Sequence, residues 1–249
     1  MSDRFVKVGI QRELHLEWFE QAARIYGSGI SKKDARQEIY NYLGGAPGFA
    51  TAPSLQSKTY IANALIKSWI DPAPELVSIR NTAFKLLQEH DVARTAVHWC
   101  LLGAAYPFWF EVAAKIGRLL NLQDQVTQAQ VVLRLKESYG DRQTISRRAR
   151  YVIRSFVSWG VLKDSANKGS YEKSTPVPIP NYTQATYMIE AALNAMPEGK
   201  AALGLLLNNT AFFPFSLPVL RGDFIAQQTG RIDVVRFGLD DEMLKLKVK

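Results

Sequence analysis

The sequence contains only one cysteine and three histidines, and this shortage excludes several kinds of site. A single thiol, Cys100, cannot form an internal disulfide or a cysteine-rich zinc site, which fits a reducing compartment. His15, His90 and His98 do not occur in a metal-binding spacing such as H-E-x-x-H, and the sequence has no phosphate-binding glycine motif. Because His98 and Cys100 lie two residues apart on a predicted helix, we expect two core residues rather than a catalytic pair.

Long uninterrupted apolar segments are also absent. The most apolar part of the chain, residues 96–114, is interrupted by His98, Pro107 and Glu111, and it falls short of the roughly 20 apolar residues that span a bilayer. We predict a buried pair of helices that divides at Pro107, with a membrane helix as the alternative. The first residues, MSDRFVKVGIQREL, contain no apolar signal core, so the sequence predicts a cytoplasmic protein with no membrane partner.

Acidic residues are few relative to basic ones, with 23 Asp and Glu against 31 Lys and Arg and a net charge of +8. Such an excess favours polyanionic partners, although it is also common in proteins that bind none. Residues 134–173 contain ten Lys or Arg and four acids, so most of the net charge lies there. This segment is therefore the strongest candidate for a polyanion-binding surface.

Within this segment, residues 140–161 (GDRQTISRRARYVIRSFVSWGV) predict an amphipathic helix with two different faces. The face with the spacing of a buried stripe consists of Ile145, Ala149, Val152, Ile153 and Phe156. The opposite face consists of Gln143, Arg147, Arg150, Tyr151, Arg154 and Ser158. Thr144 is the predicted N-cap, and Gly160 is expected to end the helix in a left-handed conformation.

The arginines on the polar face have no acidic residue four positions away, so an anion from outside is their expected partner. The alternative is a solvated, charged face without a ligand. The elements predicted around the helix follow the order of a winged helix-turn-helix unit. In chain order they are a helix at Phe108–Leu120, a short strand near Val126, a helix at Gln128–Tyr139, a turn at Gly140–Arg142, the basic helix, a short strand at Val161–Leu162, a basic loop at Lys163–Ser174 and a returning edge strand at Thr175–Ile179.

The predicted fold class is mainly α, with a helical N-terminal bundle, a central winged helix-turn-helix, and C-terminal helices with a small β-hairpin. The corresponding regions are residues 1–75, 76–180 and 181–249. Further helices are predicted at residues 14–26, 31–43, 57–70, 74–88, 93–106, 182–195 and 200–208. The hairpin is predicted from strands at residues 231–237 and 243–248 and a turn at 238–241, with the acidic residues Asp240, Asp241 and Glu242 solvated at that turn.

These features predict a non-enzymatic protein that binds double-stranded DNA without a cofactor or a metal. The predicted DNA-binding residues are Arg142, Gln143, Ser146, Arg147, Arg150, Tyr151, Arg154, Lys163, Lys168 and Lys173. The N-terminal helices form either a plain bundle or a second helix-turn-helix, whose DNA surface would contain Lys58, Tyr60 and Lys67. Two alternatives remain within this reading of the sequence, a transcriptional regulator and an adaptor subunit that binds an acidic protein surface.

Three stretches, SKTYIANALIKSWI, VHWCLLGAAYPFWFEVAAKI and TISRRARYVIRSFVSWGVL, together with the capped helical N-terminus, resemble the BrxA family of bacteriophage-exclusion (BREX) systems. The resemblance covers roughly residues 10–165. It implies an all-α, non-enzymatic DNA-binding component of a bacterial phage-defence system, acting beside methyltransferase, ATPase and phosphatase-like partners. Residues 108–179 are also similar in layout to winged helix-turn-helix DNA-binding proteins in general.

Overall fold

The computed structural model describes residues 3–5, 8–237 and 241–247, and the protein is mainly helical with small sheets, as predicted. The α-helices are α1 (Leu16–Gly27), α2 (Lys32–Gly45), α3 (Leu55–Leu65), α4 (Val77–Leu86), α5 (Arg94–Ala105), α6 (Pro107–Leu120), α7 (Gln128–Tyr139), α8 (Gln143–Ser158), α9 (Tyr182–Asn194), α10 (Leu203–Leu207) and α11 (Gly222–Thr229). The strands are β1 (Gln125–Thr127), β2 (Leu162–Asp164), β3 (Ser170–Lys173), β4 (Val177–Pro178), β5 (Lys200–Ala202), β6 (Phe215–Ser216), β7 (Ile232–Phe237) and β8 (Asp241–Leu246). A π-helical turn at Ile66–Ile70 extends α3.

Helices α5 and α6 form the centre of the core, and they divide at Pro107 as predicted. Trp99 and Trp109 are fully buried, and their rings meet edge to face with centroids 5.0 Å apart. At Gly117 the backbone carbonyl of Thr210 approaches so closely that an added Cβ would lie 2.0 Å from its oxygen. Across the described ranges, no helix has the length and apolar content needed to cross a membrane. The apolar segment is therefore explained by burial inside this core.

The buried apolar residues form one continuous cluster that runs from Ile10 to Leu244. All three predicted regions of the chain contribute to it, including the N-terminal helices and the C-terminal sheet. His98 and Cys100 are fully buried within it, which confirms the prediction that both are core residues.

A small antiparallel sheet lies beside α8, with strand order β1-β3-β2. Its returning strand is β3, so the prediction of Thr175–Ile179 for this strand is wrong. The return occurs earlier because Gly169, at φ +80°, closes the turn immediately before β3. Val177–Pro178 pairs instead in parallel with Phe215–Ser216, outside this sheet.

The C-terminal hairpin is part of a three-stranded sheet with order β5-β8-β7. The predicted helix at residues 200–208 is wrong in its first part, because β5 pairs antiparallel with β8 and α10 begins only at Leu203. The pairing of β5 with β8 could not be predicted from a short stretch of sequence, because the partner strand lies about 40 residues further along the chain.

Two of the three acidic residues predicted at the C-terminal turn, Asp241 and Glu242, lie in strand β8 instead. Strand β8 begins at Asp241, so Glu242 lies in the strand rather than in a solvated turn. Glu242 accepts a hydrogen bond from the Gly222 N–H at 2.9 Å and lies 3.4 Å from Arg236 Nε. Of the predicted turn at residues 238–241, residues 238–240, including Asp240, lie outside the described residues.

Helices α1 and α5 are joined by Glu20, which contacts both Arg94 and the fully buried His98. Arg94 Nε donates to Glu20 Oε1 at 2.9 Å, and His98 Nε2 lies 3.2 Å from the same oxygen. Burial raises the pKa of Glu20, but His98 and Arg94 outweigh burial and lower this pKa to about 2. Burial also lowers the pKa of His98, which favours the neutral imidazole.

We predict that Glu20→Gln lowers the free energy of unfolding by about 1–3 kcal/mol at pH 7, because Arg94 and His98 lose a charged partner. A carboxylate with a depressed pKa stabilises the folded state above its unfolded pKa, and this contribution disappears as the pH falls through the folded pKa. The difference between variant and wild type should therefore shrink as the pH falls from 4.5 towards about 2. Urea unfolding at several pH values measures it, with Glu38→Gln on the exposed side of α2 as the control.

Candidate nucleic-acid interface

Helix α8 has the two faces that its sequence predicts. The five apolar residues of the predicted stripe are 0–1 % exposed: Ile145, Ala149, Val152, Ile153 and Phe156. Gly160, at φ +71°, follows the helix and allows Val161 N–H to donate to the Phe156 carbonyl at 3.0 Å. The predicted N-cap, Thr144, is wrong: the helix begins at Gln143 after Arg142, which makes no side-chain cap.

The turn before α8 holds Arg142 at the surface. Gly140 adopts φ +79°, and Asp141 pairs with Lys136 Nζ of α7 at 2.7 Å. Arg142 is exposed, and its Nη2 donates to the Tyr139 carbonyl at 3.2 Å. The turn thus sets α8 across α7 while keeping this guanidinium next to the first turn of α8.

The N-terminal half of α8 presents free basic side chains. Gln143, Arg147 and Arg150 are exposed, and Ser146 is half-buried beside them. Within the described part of the chain, neither Arg147 nor Arg150 has an ion-pair partner. Two guanidinium groups therefore point away from the core without a protein counter-charge.

Residues 10–15 pack along one side of α8, where they contact Arg148 as well as Ser155, Ser158 and Trp159. The Leu14 N–H donates to the buried hydroxyl of Ser155 at 2.8 Å, and Trp159 Nε1 donates to the Leu14 carbonyl at 2.9 Å. Ser158 Oγ lies 3.0 Å from His15 Nδ1. Ser158 therefore belongs to an internal contact, while the Arg154 side chain on the same predicted face remains 36 % exposed.

Arg154 has an acidic partner that helical spacing could not reveal. Its Nη1 donates to both carboxylate oxygens of Asp164, at 2.7 and 2.9 Å, and Asp164 lies on β2 at the start of the hairpin. The expectation that Arg154 awaits an external anion is therefore wrong for this state of the protein. The pair joins the end of α8 to the hairpin β2–β3.

The hairpin places its three predicted lysines in different positions. Lys168 is exposed in the loop between the strands, and Lys173 is exposed at the end of β3. Lys163 lies opposite Glu172 in the strand register, and alternation along β2 puts it on the face away from Asp164. Only Lys168 and Lys173 are thus candidates for extending the basic surface of α8.

The second predicted surface is divided between two sides of α3. Lys58 lies near Gly44 at the end of α2, where a Cβ added to Gly44 would be 3.5 Å from Lys58 Nζ. Tyr60 is two positions further on and faces residues 10–15 instead, with its ring centroid 5.1 Å from Arg12 Cζ. Lys67 lines a cleft on that same side with Gln11. Lys58 is therefore separated from Tyr60 and Lys67.

Arg12 and Arg148 are two residues at this surface that the sequence-based site does not contain. Arg12 Cζ lies 5.8 Å from the ring centroid of Tyr151, and Arg148 Nη2 donates to Gln11 Oε1 at 3.0 Å. Burial lowers the pKa of Arg148, and the nearby charge of Arg147 lowers it further. Arg148 was detectable as part of the local charge excess, whereas Arg12 lies in a segment without periodicity.

The residues that the structure describes contain neither a metal-binding cluster nor an exposed thiol. These residues contain no group of three or more His, Cys, Asp or Glu side chains able to hold a metal ion. Burial raises the pKa of the Cys100 thiol, so its reactive thiolate is disfavoured. Comparison with known proteins finds no matching family model, no matching curated protein and no matching solved structure.

We predict that Ser155→Ala destabilises the protein by about 1–3 kcal/mol, because the buried Leu14 N–H loses its acceptor. The same change should loosen residues 10–15 from α8, so cleavage in this segment by a protease should become faster. Chemical denaturation and limited proteolysis measure the two effects, with the exposed Ser138→Ala on α7 as the control. Equal stability of Ser155→Ala and wild type would show that this hydrogen bond does not hold the segment.

Proposed function

We propose that the protein binds duplex DNA through a winged helix-turn-helix unit formed by residues 107–173, with α8 as the helix that enters the major groove. The order α6, β1, α7, α8, β2, β3 and the strand order β1-β3-β2 support this assignment. The short turn at residues 140–142 and the hairpin after α8 occupy the positions of the turn and the wing in such a unit.

The observation that carries the proposal is the exposed, uncompensated charge on the first half of α8. In helix-turn-helix proteins, it is the N-terminal part of the recognition helix that reaches the base edges. Here that part contains Gln143, Arg147 and Arg150, while in the later part Arg154 is paired with Asp164 and Ser155 is buried against Leu14. Arginine can bind phosphate oxygens or the O6 and N7 atoms of guanine, and glutamine suits adenine.

The roles of the other basic residues follow from their positions. Lys168 in the hairpin loop and Lys173 at its end are placed to contact the phosphate backbone, as wing residues do. Arg142 lies at the start of α8, where it can bind a phosphate at the edge of the groove. These contacts supply affinity rather than sequence discrimination, so binding should weaken steeply as salt increases.

We predict that the double variant Arg147→Ala/Arg150→Ala binds a duplex at least about tenfold more weakly than wild type at low salt, because two groove contacts are removed. The slope of log affinity against log salt should also fall by about 2, close to one unit per lost phosphate contact. Fluorescence anisotropy at several salt concentrations measures both quantities.

The matched control is Arg221→Ala/Lys245→Ala, which removes the same charge from exposed residues of the C-terminal region. This control should retain nearly all of the affinity for the duplex, because Arg221 and Lys245 lie outside the proposed winged unit and their loss lowers only the net charge of the protein. Equal losses in the two double variants, or no duplex binding by the wild type, would contradict the proposal. Capture of an acidic protein without any DNA binding would favour an adaptor instead.

We predict that Asp164→Asn strengthens duplex binding about three- to tenfold at low salt. The change removes a negative charge beside the interface and releases Arg154 from its two hydrogen bonds. The control is Asp233→Asn, another exposed, ion-paired carboxylate, which lies 3.5 Å from Lys247 Nζ. Titration of both variants with the same duplex tests the effect, and weaker binding by Asp164→Asn would mean that the pair positions the hairpin for DNA.

A further inference from the structure

Arg12 is held in a fixed position beside α8 by two tyrosines and a serine. Its Cζ lies 5.1 Å from the Tyr60 ring centroid and 5.8 Å from the Tyr151 ring centroid. Arg12 Nε donates to Ser57 Oγ at 3.2 Å, and Nη1 donates to the Gln11 carbonyl at 2.8 Å. Among the described residues, Nη2 has no hydrogen-bond partner. The guanidinium is thus oriented by neutral groups and keeps donor capacity for a ligand.

Arg148 adds a second guanidinium next to Arg12. Its Nη1 donates to the Ile10 carbonyl at 3.4 Å, and its Nη2 donates to the Gln11 side chain. In the described ranges neither arginine contacts a carboxylate, and the adjacent Glu13 lies 3.8 Å from His15 Nε2 instead. Two positive charges held close together by neutral acceptors repel each other, and an anion between or above them would relieve that repulsion.

Arg12 and Arg148 lie next to the exposed ridge of α8, which consists of Gln143, Arg147 and Arg150. Tyr151 contacts Arg12 and lies one helical turn after Arg147 on the same face. The exposed Arg150 precedes Tyr151 directly. A polyanion bound along the ridge from Gln143 to Arg150 therefore also reaches Arg12, which lies beside Tyr151.

We infer that Arg12 and Arg148 form a second contact site for the phosphodiester backbone of the duplex that α8 engages, and this inference rests on the function proposed above. Guanidinium groups bind phosphate oxygens through paired N–H donors, and aromatic stacking keeps the guanidinium plane oriented in advance. The N-terminal region thereby contacts DNA outside the groove occupied by α8. This contact involves residues 10–15 and the side of α3 that carries Tyr60, and it does not include Lys58.

The test compares Arg12→Met and Arg12→Lys with wild type in duplex titrations at several salt concentrations. Methionine preserves much of the aliphatic packing, so the folded state should survive, and melting temperatures check this. Arg12→Met should weaken binding about three- to tenfold and lower the slope of log affinity against log salt by about 1. Arg12→Lys should keep the wild-type slope because it keeps the charge.

Phosphate-ethylation interference on the wild-type protein gives a readout that needs no variant. Ethylation should interfere with binding at phosphates on one flank of the site, beyond the phosphates on either side of the groove that α8 enters. This additional interference should disappear in Arg12→Met. An unchanged affinity and salt slope in Arg12→Met, or interference confined to one groove, would overturn the inference. If Arg147→Ala/Arg150→Ala still loses binding in that case, only the second site fails. If neither change has an effect, the proposed function fails as well.

Discussion

The packing of residues 10–15 along α8 determines how the N-terminal region meets the basic helix. The buried hydroxyl of Ser155 accepts a hydrogen bond from the Leu14 N–H and donates one to the Tyr151 carbonyl, so one side chain joins two backbone segments inside the core. Trp159 adds a hydrogen bond to the Leu14 carbonyl. These contacts cover one side of a basic helix, leave Arg147 and Arg150 exposed, and bring Arg12 next to Tyr151.

The basic residues of this region differ in whether a carboxylate neutralises them. Arg154 is neutralised by Asp164, whereas Arg12, Arg147 and Arg148 have no carboxylate partner in the described part of the chain. Leaving like charges close together opposes folding modestly, and the anionic ligand that we propose would supply the missing negative charge. The phosphate backbone of a duplex provides such charge at regular intervals over the whole length of the ridge.

Helix α8 was predictable because its burial follows a local period, and each residue of the apolar stripe from Ile145 to Phe156 is buried. The features that were missed all depend on partners distant in sequence. Asp164 is ten positions from Arg154, outside any helical spacing. Arg12 lies in residues 10–15, whose sequence shows no periodicity. Its contact with Tyr151 exists only after the chain has folded. The return strand was misplaced because the chain reverses direction at Gly169, at φ +80°, before it reaches the proline-containing stretch at residues 175–179.

The central claim is that the exposed half of α8 lies against DNA, and the chain allows a direct measurement because Cys100 is buried. A single reactive thiol can be introduced by Gln143→Cys on the ridge, or by Gln227→Cys on α11, which packs against α9 and β7 on another part of the molecule. If the exposed half of α8 lies against DNA, saturating duplex at low salt should slow alkylation of the thiol at position 143 several-fold and leave the rate at position 227 unchanged. Equal alkylation rates at position 143 with and without duplex would contradict that claim.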